Sequence, residues 1–173
     1  MFRVDMPITE RQDIIRKFLG AKQPVVALLL AALDCERTMR RAIIALGTTP
    51  SKQLAIQLGK PNTDGTDGGT GVSAKKLYRA SVHEYKRAWD VEVRKRVGGT
   101  GLDEVVEDWK GLAKAVKLRN ELVHGEKATT GLGYATDRVE SYMKATMRVH
   151  EFAAGQKVNL DKPLKPRKKA SSR

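Results

Sequence analysis

At 173 residues and 40% hydrophobic side chains, the chain is long enough for one domain and apolar enough to bury a core, which excludes disorder along its whole length. Aromatics make up only 5% and β-branched runs are short, which argues against an all-β fold. Thirty-three basic against 20 acidic residues give a formal charge of +13, a field that favours polyanions such as nucleic acid.

Thr9 is placed to cap a first helix running to about Leu19, with Gly20 as its stop. Residues 1–20 are charged and amphipathic, unlike a signal peptide. Pro24 opens a long helix to Leu46, closed by Gly47. Its apolar stretch, Pro24 to Leu33, is about half of what spans a bilayer, and Asp34 and Glu36 follow, so no membrane association is expected. The single cysteine, Cys35, cannot form an internal disulfide and points to a reducing, cytoplasmic setting.

Ser51 opens a short helix ending before Gly59. Asn62 to Gly71 is a Gly- and Asp-rich loop whose spacing does not fit an EF-hand. Ser73 caps a helix to about Val97, with Tyr78, Val82, Tyr85, Trp89, Val93 and Val97 at helical spacing. A further helix covers Leu102 to Val123, stopped by Gly125. The last runs from about Thr130 to Ala154, with Leu132, Ala135, Val139, Tyr142, Met143, Thr146 and Val149 on its inner face. Beyond Gly155, Pro163, Pro166 and the basic run Lys165 to Lys169 predict a disordered tail. Between Lys157 and Arg173, seven basic residues and one acidic hold +6 of the charge and leave +7 on residues 1–156. The expected fold is all-α: an antiparallel bundle of four to five main helices over residues 1–155, with a basic flexible tail over 156–173.

The helix from Leu102 carries the functional signal. At about 100° per residue, Leu102, Val105, Val106, Trp109, Leu112, Ala113 and Val116 share one side. The next positions on that side are Arg119, Asn120, Val123 and His124. Three polar residues thus stand where the pattern calls for apolar ones, and such groups must meet partners, water or a ligand. Periodicity alone leaves two readings open, satisfied core polar groups or the wall of a cleft.

The string Leu118-Arg-Asn-Glu-Leu-Val-His-Gly125 resembles the signature of the HEPN family, an Arg, a polar neighbour, and a His a few positions on. The match covers about eight residues, and the helix layout is compatible with it over nearly the whole chain. Many HEPN proteins are dimeric helical bundles that cut RNA without a metal, with two copies of the motif in one cleft. The resemblance therefore implies a metal-independent endoribonuclease of toxin or defence type, with no cofactor, acting as a homodimer on RNA. RNA supplies its own nucleophile, the 2′-hydroxyl, so proton transfer and charge stabilisation suffice. His124 suits the first, Arg119 the second, and Asn120 is placed to orient the His124 ring or the phosphate. Glu36 follows Leu29, Ala32 and Leu33 at helical spacing, with Ile43 continuing the line, and is either a further site residue or a salt-bridge partner of Arg119. Asp34 is the weaker choice.

The family pattern is incomplete here. In HEPN toxins paired with nucleotidyltransferase antitoxins, a tyrosine two positions after the His is modified. Glu126 stands there instead, and Tyr134 lies further on, so an antitoxin or regulatory partner of that kind is in question. His83, His150 and Trp109 are read as exposed or structural. The alternatives are a non-catalytic HEPN module binding RNA, nucleotide or a protein, and a basic DNA-associated protein. No helix-turn-helix supports the latter.

Overall fold

The computed structural model describes residues 6–49 and 82–164, and every regular element among them is helical. In order these are α1 (Ile8–Gly20), α2 (Pro24–Leu46), α3 (Val82–Glu92), a 3-10 turn (Arg94–Arg96), α4 (Leu102–Val106), α5 (Trp109–Val123) and α6 (Leu132–Gly155). The short helix expected from Ser51, the 62–71 loop, the start of the Ser73 helix with Tyr78, and positions 165–173 lie outside the described residues.

Pro7, rather than Thr9, precedes the first turn of α1, and Thr9 lies inside the helix. Proline suits this place because a helix start leaves its N–H groups without intrahelical acceptors. The chain then reverses through Lys22, at φ 57°, where Lys22 and Gln23 donate back to Leu19 and Phe18 carbonyls at 3.0 and 2.9 Å. Pro24 opens α2 as expected.

α2 is the central element, and its widest contact is with α6. Ala27, Ala31, Ala32 and Ala42 on one helix and Ala135, Ala145 and Ala153 on the other are buried, and short side chains let helix backbones approach closely. Leu28, Met39, Ile43, Val139, Tyr142 and Val149 fill the remaining space. Cys35 meets Thr146 across this contact, and Arg41 reaches Leu160 beyond the end of α6. Trp89 of α3 is fully buried against Phe152 at 5.6 Å between ring centroids, and its indole N–H reaches the Thr100 carbonyl at 3.0 Å. Cys35 is buried, and burial pushes its thiol up to about 12, too high for a reactive thiolate.

The end of α2 is joined to α3 through a carboxylate. Glu92 accepts from the backbone N–H groups of Thr48 and Thr49 at 3.0 and 2.9 Å and from both hydroxyls at 3.0 and 2.8 Å. Partial burial works against its charge, but these bonds outweigh that and hold its carboxyl below the usual range. Gly47 is required beside it, since a Cβ would lie 2.5 Å from the Ile43 carbonyl oxygen and 3.2 Å from Glu92. Glu92→Ala is expected to cost about 1–3 kcal/mol by chemical denaturation, because hydrogen bonds to a charged group are the stronger kind. That contribution is present above the ordinary carboxylate pKa and fades as pH falls through the depressed value. A parent–variant gap that stays constant into acid would contradict it.

The helix expected over Leu102–Val123 is two helices. Glu107 adopts φ 63°, and Asp108 starts α5 by accepting from the Gly111 N–H at 2.9 Å. A Cβ at Gly111 would sit 2.0 Å from the Asp108 carboxylate, so a larger residue there would push the capping side chain aside. Local capping overrides the continuous apolar period. The inner face of α5 consequently comprises Leu112, Ala115, Val116 and Leu118, while Trp109 and Ala113 are only partly covered.

Residues 156–164, expected to belong to a flexible tail, are packed instead. Lys157, at φ 61°, turns the chain back, Leu160 is buried, and Val158 and Leu164 pack on the core. Arg41 donates to the Leu160 and Lys162 carbonyls at 2.8 and 2.5 Å. The packed part of the chain extends to Leu164.

Candidate active site

α5 carries the motif into the helix layer. Leu118 is buried and Leu122 packs against the core, which fixes the rotation of the last turn. Arg119 and Asn120, between them, are partly buried. The helix ends where the His124 N–H bonds the Asn120 carbonyl at 2.9 Å and Gly125 turns at φ 72°. Lys127 closes this end, its N–H on the Glu121 carbonyl at 3.0 Å and its ammonium on the Glu121 carboxylate at 2.6 Å. Glu121 thereby holds the turn while Arg119 and Asn120 face the other way.

Arg119 Nη2 lies 3.5 Å from Glu36 Oε1, and Nη1 donates to Asn120 Oδ1 at 2.9 Å. The fold therefore brings Glu36 of α2 to Arg119 and Asn120 of α5. Burial pushes the Glu36 carboxyl up, and Arg119 and Arg40 offset this only in part. A raised carboxyl contributes stability below its ordinary pKa and loses it as pH rises through the raised value. Glu36→Gln is thus expected to gain stability relative to the parent as pH rises above the ordinary glutamate range, read from urea midpoints. A relative loss over that rise would show that attraction to Arg119 outweighs burial.

The rest of the predicted face differs from expectation. Val123 is 47% exposed, and Leu29 (37%) and Leu33 (49%) are exposed too, whereas Ala32 and Ile43 are buried, so Glu36 lies at the border between the buried and the outer side of α2. Asp34, the weaker acidic candidate, is buried in an ion pair with Arg11 at 2.6 Å and belongs to the scaffold. His83 is exposed, edge-on to Trp109 at 6.3 Å between ring centroids. His150 is partly buried, 3.2 Å from Asp161, and holds the returning chain. Tyr134 is exposed beneath the Arg138 guanidinium at 4.6 Å and the Lys127 ammonium at 6.0 Å.

Two tyrosines join the candidate site that sequence reasoning had placed only in the core. Burial pushes the Tyr142 phenol far up, with Cys35 and Glu36 adding to the shift and Arg119 opposing it, so Tyr142 is a neutral neighbour of the Arg119–Glu36 pair. Burial also raises Tyr85, beside Glu36, and Arg40 hydrogen-bonds its hydroxyl. The available signal was a hydroxyl tip on an inner face, which needs a partner. Among the described residues, the buried side-chain polar atoms without a hydrogen bond are His124 Nε2, Arg138 Nε and Tyr142 Oη. Arg138 and Tyr142 are one turn apart on α6, which packs on α5.

No family model matches the chain, and no curated protein or solved structure matches it either. Among the described residues no helix is long and apolar enough to cross a membrane, and no group of three or more His, Cys, Asp and Glu is placed to hold a metal ion.

Proposed function

We propose that the chain is a metal-independent endoribonuclease of HEPN type, in which the 2′-hydroxyl of RNA attacks the adjacent phosphodiester. One observation carries this reading: among the described residues the buried polar atoms without a partner sit on His124 at the end of α5 and on Tyr142 and Arg138 of α6, and Tyr142 feels the charge of an Arg119 already set by Glu36 and Asn120. Unsatisfied buried groups are costly, and a substrate that binds them relieves the cost. His124 transfers protons, Arg119 binds the phosphate oxygens, and Asn120 with Glu36 orients Arg119. Tyr142, kept neutral by its surroundings, is a hydrogen-bond donor.

A homodimer with a toxin or defence role, an HEPN-like bundle arrangement and a cytoplasmic setting belong to the same proposal. The dimer is supported by Val26, Leu29 and Leu33, exposed at helical spacing along α2 one turn before Glu36. Such apolar stripes are characteristic of association surfaces. Leu33→Glu should then yield a monomer without activity although its Arg119 and His124 are intact, as read by sedimentation and cleavage together.

The non-catalytic HEPN module binding RNA or a protein is the second reading. It is favoured by the engagement of Arg119 with Glu36 and Asn120. The deciding experiment incubates the full chain with mixed cellular RNA in EDTA and identifies the new ends. Products with a 2′,3′-cyclic phosphate and a 5′-hydroxyl support the proposal. A 5′-phosphate would sink the mechanism, and binding without cleavage would favour the module.

A further inference from the structure

A second cationic centre lies on another side of α2. Arg37 is partly buried, and its guanidinium makes no hydrogen bond or ion pair among the described residues. Its charged neighbours are Arg41 one turn along α2, Arg11 from α1, Asp34 of α2 and Asp161 from the chain following α6. Both carboxylates are already engaged. Arg11 binds Asp34 at 2.6 Å and Asp161 at 3.2 Å, and also donates to the Met6 carbonyl. His150 holds the other oxygen of Asp161 at 3.2 Å. Arg41 is held by the Leu160 and Lys162 carbonyls, which fix its position without neutralising it. Three guanidinium groups therefore share two carboxylates, leaving one positive charge that no described group pairs. Burial and the like charges of Arg41 and Arg11 all work against the charge on Arg37, and Asp34 and Asp161 offset this only in part.

A desolvated cation among like charges is poised to take an anion. One uncompensated charge suits a singly charged phosphodiester better than a dianionic phosphomonoester. In sequence, Leu164, which packs on the core, is followed by the basic residues Lys165, Arg167, Lys168 and Lys169. We propose that Arg37, flanked by Arg41, is a binding site for a backbone phosphodiester of single-stranded nucleic acid, separate from the Arg119–Glu36 pair. This site does not depend on cleavage.

The test titrates the full chain with a fluorescent 2′-O-methyl oligoribonucleotide, which 2′-hydroxyl attack cannot cut, so the outcome is independent of nuclease activity. Arg37→Gln is compared with Arg16→Gln, an equal charge change at an exposed arginine of α1. Arg37→Gln is expected to weaken binding roughly tenfold at low salt. It should also reduce the slope of log affinity against log salt by about 0.7, the value for one single-strand phosphate contact. Arg16→Gln should change affinity by about twofold or less, as a screened surface charge does. The thermal midpoint of Arg37→Gln should equal or exceed that of the parent, because the substitution removes like-charge repulsion. Equal losses in the two variants would reduce the effect to the general field, and no loss would remove the site. Weaker binding with a lower thermal midpoint would make Arg37 a scaffold residue. A loss confined to anionic lipid vesicles, run alongside, would overturn the nucleic-acid assignment.

Discussion

His124→Ala and Arg119→Ala should each lower EDTA-resistant RNA cleavage by roughly 10²–10⁴-fold, the range for removing a group that moves a proton or stabilises transition-state charge. The two losses have different side effects. The His124 ring nitrogen Nε2 has no partner among the described residues, so truncating it breaks no hydrogen bond there, and the thermal midpoint should scarcely move. Arg119 offsets the charge of the partly buried Glu36, so Arg119→Ala leaves that carboxylate without its nearest cation at the site and should destabilise as well. Arg119→Lys separates charge from geometry. It keeps a cation beside Glu36 and loses the planar fork, so stability should largely return while cleavage stays low. Full cleavage by the lysine variant would reduce Arg119 to a counter-ion, and full cleavage by His124→Ala would place the chemistry elsewhere.

Arg11→Ala is expected to be the most destabilising substitution among the described charged residues, at about 3–5 kcal/mol. Arg11 and Asp34 are each 2% exposed, and removing one partner strands the other away from water. For a chain of this length the thermal midpoint should fall by roughly 6–20 °C. Asp161 loses a partner in the same step, so proteolysis of residues 156–164 should accelerate. The wild-type Asp34 carboxyl is already raised by burial despite the attraction of Arg11, and the variant should raise it further. Its destabilisation should therefore grow as pH rises from the ordinary carboxylate range and shrink in acid, where Asp34 is neutral. Arg11→Met with Asp34→Leu should recover most of the loss, because apolar replacements of similar size leave no stranded charge. A cost below about 1 kcal/mol for Arg11→Ala would place the pair with exposed salt bridges instead.

This pair also shows where sequence reading stopped. Ile8, Arg11, Gln12 and Ile15 form the buried stripe of α1, with two polar residues in its middle. Like Arg119, Asn120 and His124, these two polar residues stand on a buried face and must find partners, and Gln12 bonds the Met143 carbonyl at 3.1 Å. Polar residues on an apolar face signal that partners exist without saying whether those partners belong to the same chain. For Arg11 they do, through Asp34, Asp161 and the Met6 carbonyl. For His124 Nε2, none is present among the described residues.

The sequence by itself determined the helical class, the limits of α2, the buried line of α6 and the placement of the Arg119-to-His124 string at a helix end. These follow from periodicity, glycine and proline, which act over a few residues. The break at Glu107 was equally local, since Asp108 and Gly111 form the cap, but a continuous apolar period masked it. Only the tertiary structure decided between the two roles that the sequence left open for Glu36 by bringing it to Arg119, set Tyr85 and Tyr142 beside them, and returned the chain after Gly155 to Arg11 and Arg41. These pairings are remote in sequence, Arg41 and Leu160 by 119 positions and Arg11 and Asp161 by 150. Their cause is the packing of α2 against α6, where small side chains set the separation and rotation of the helices, and no single helix encodes that relation.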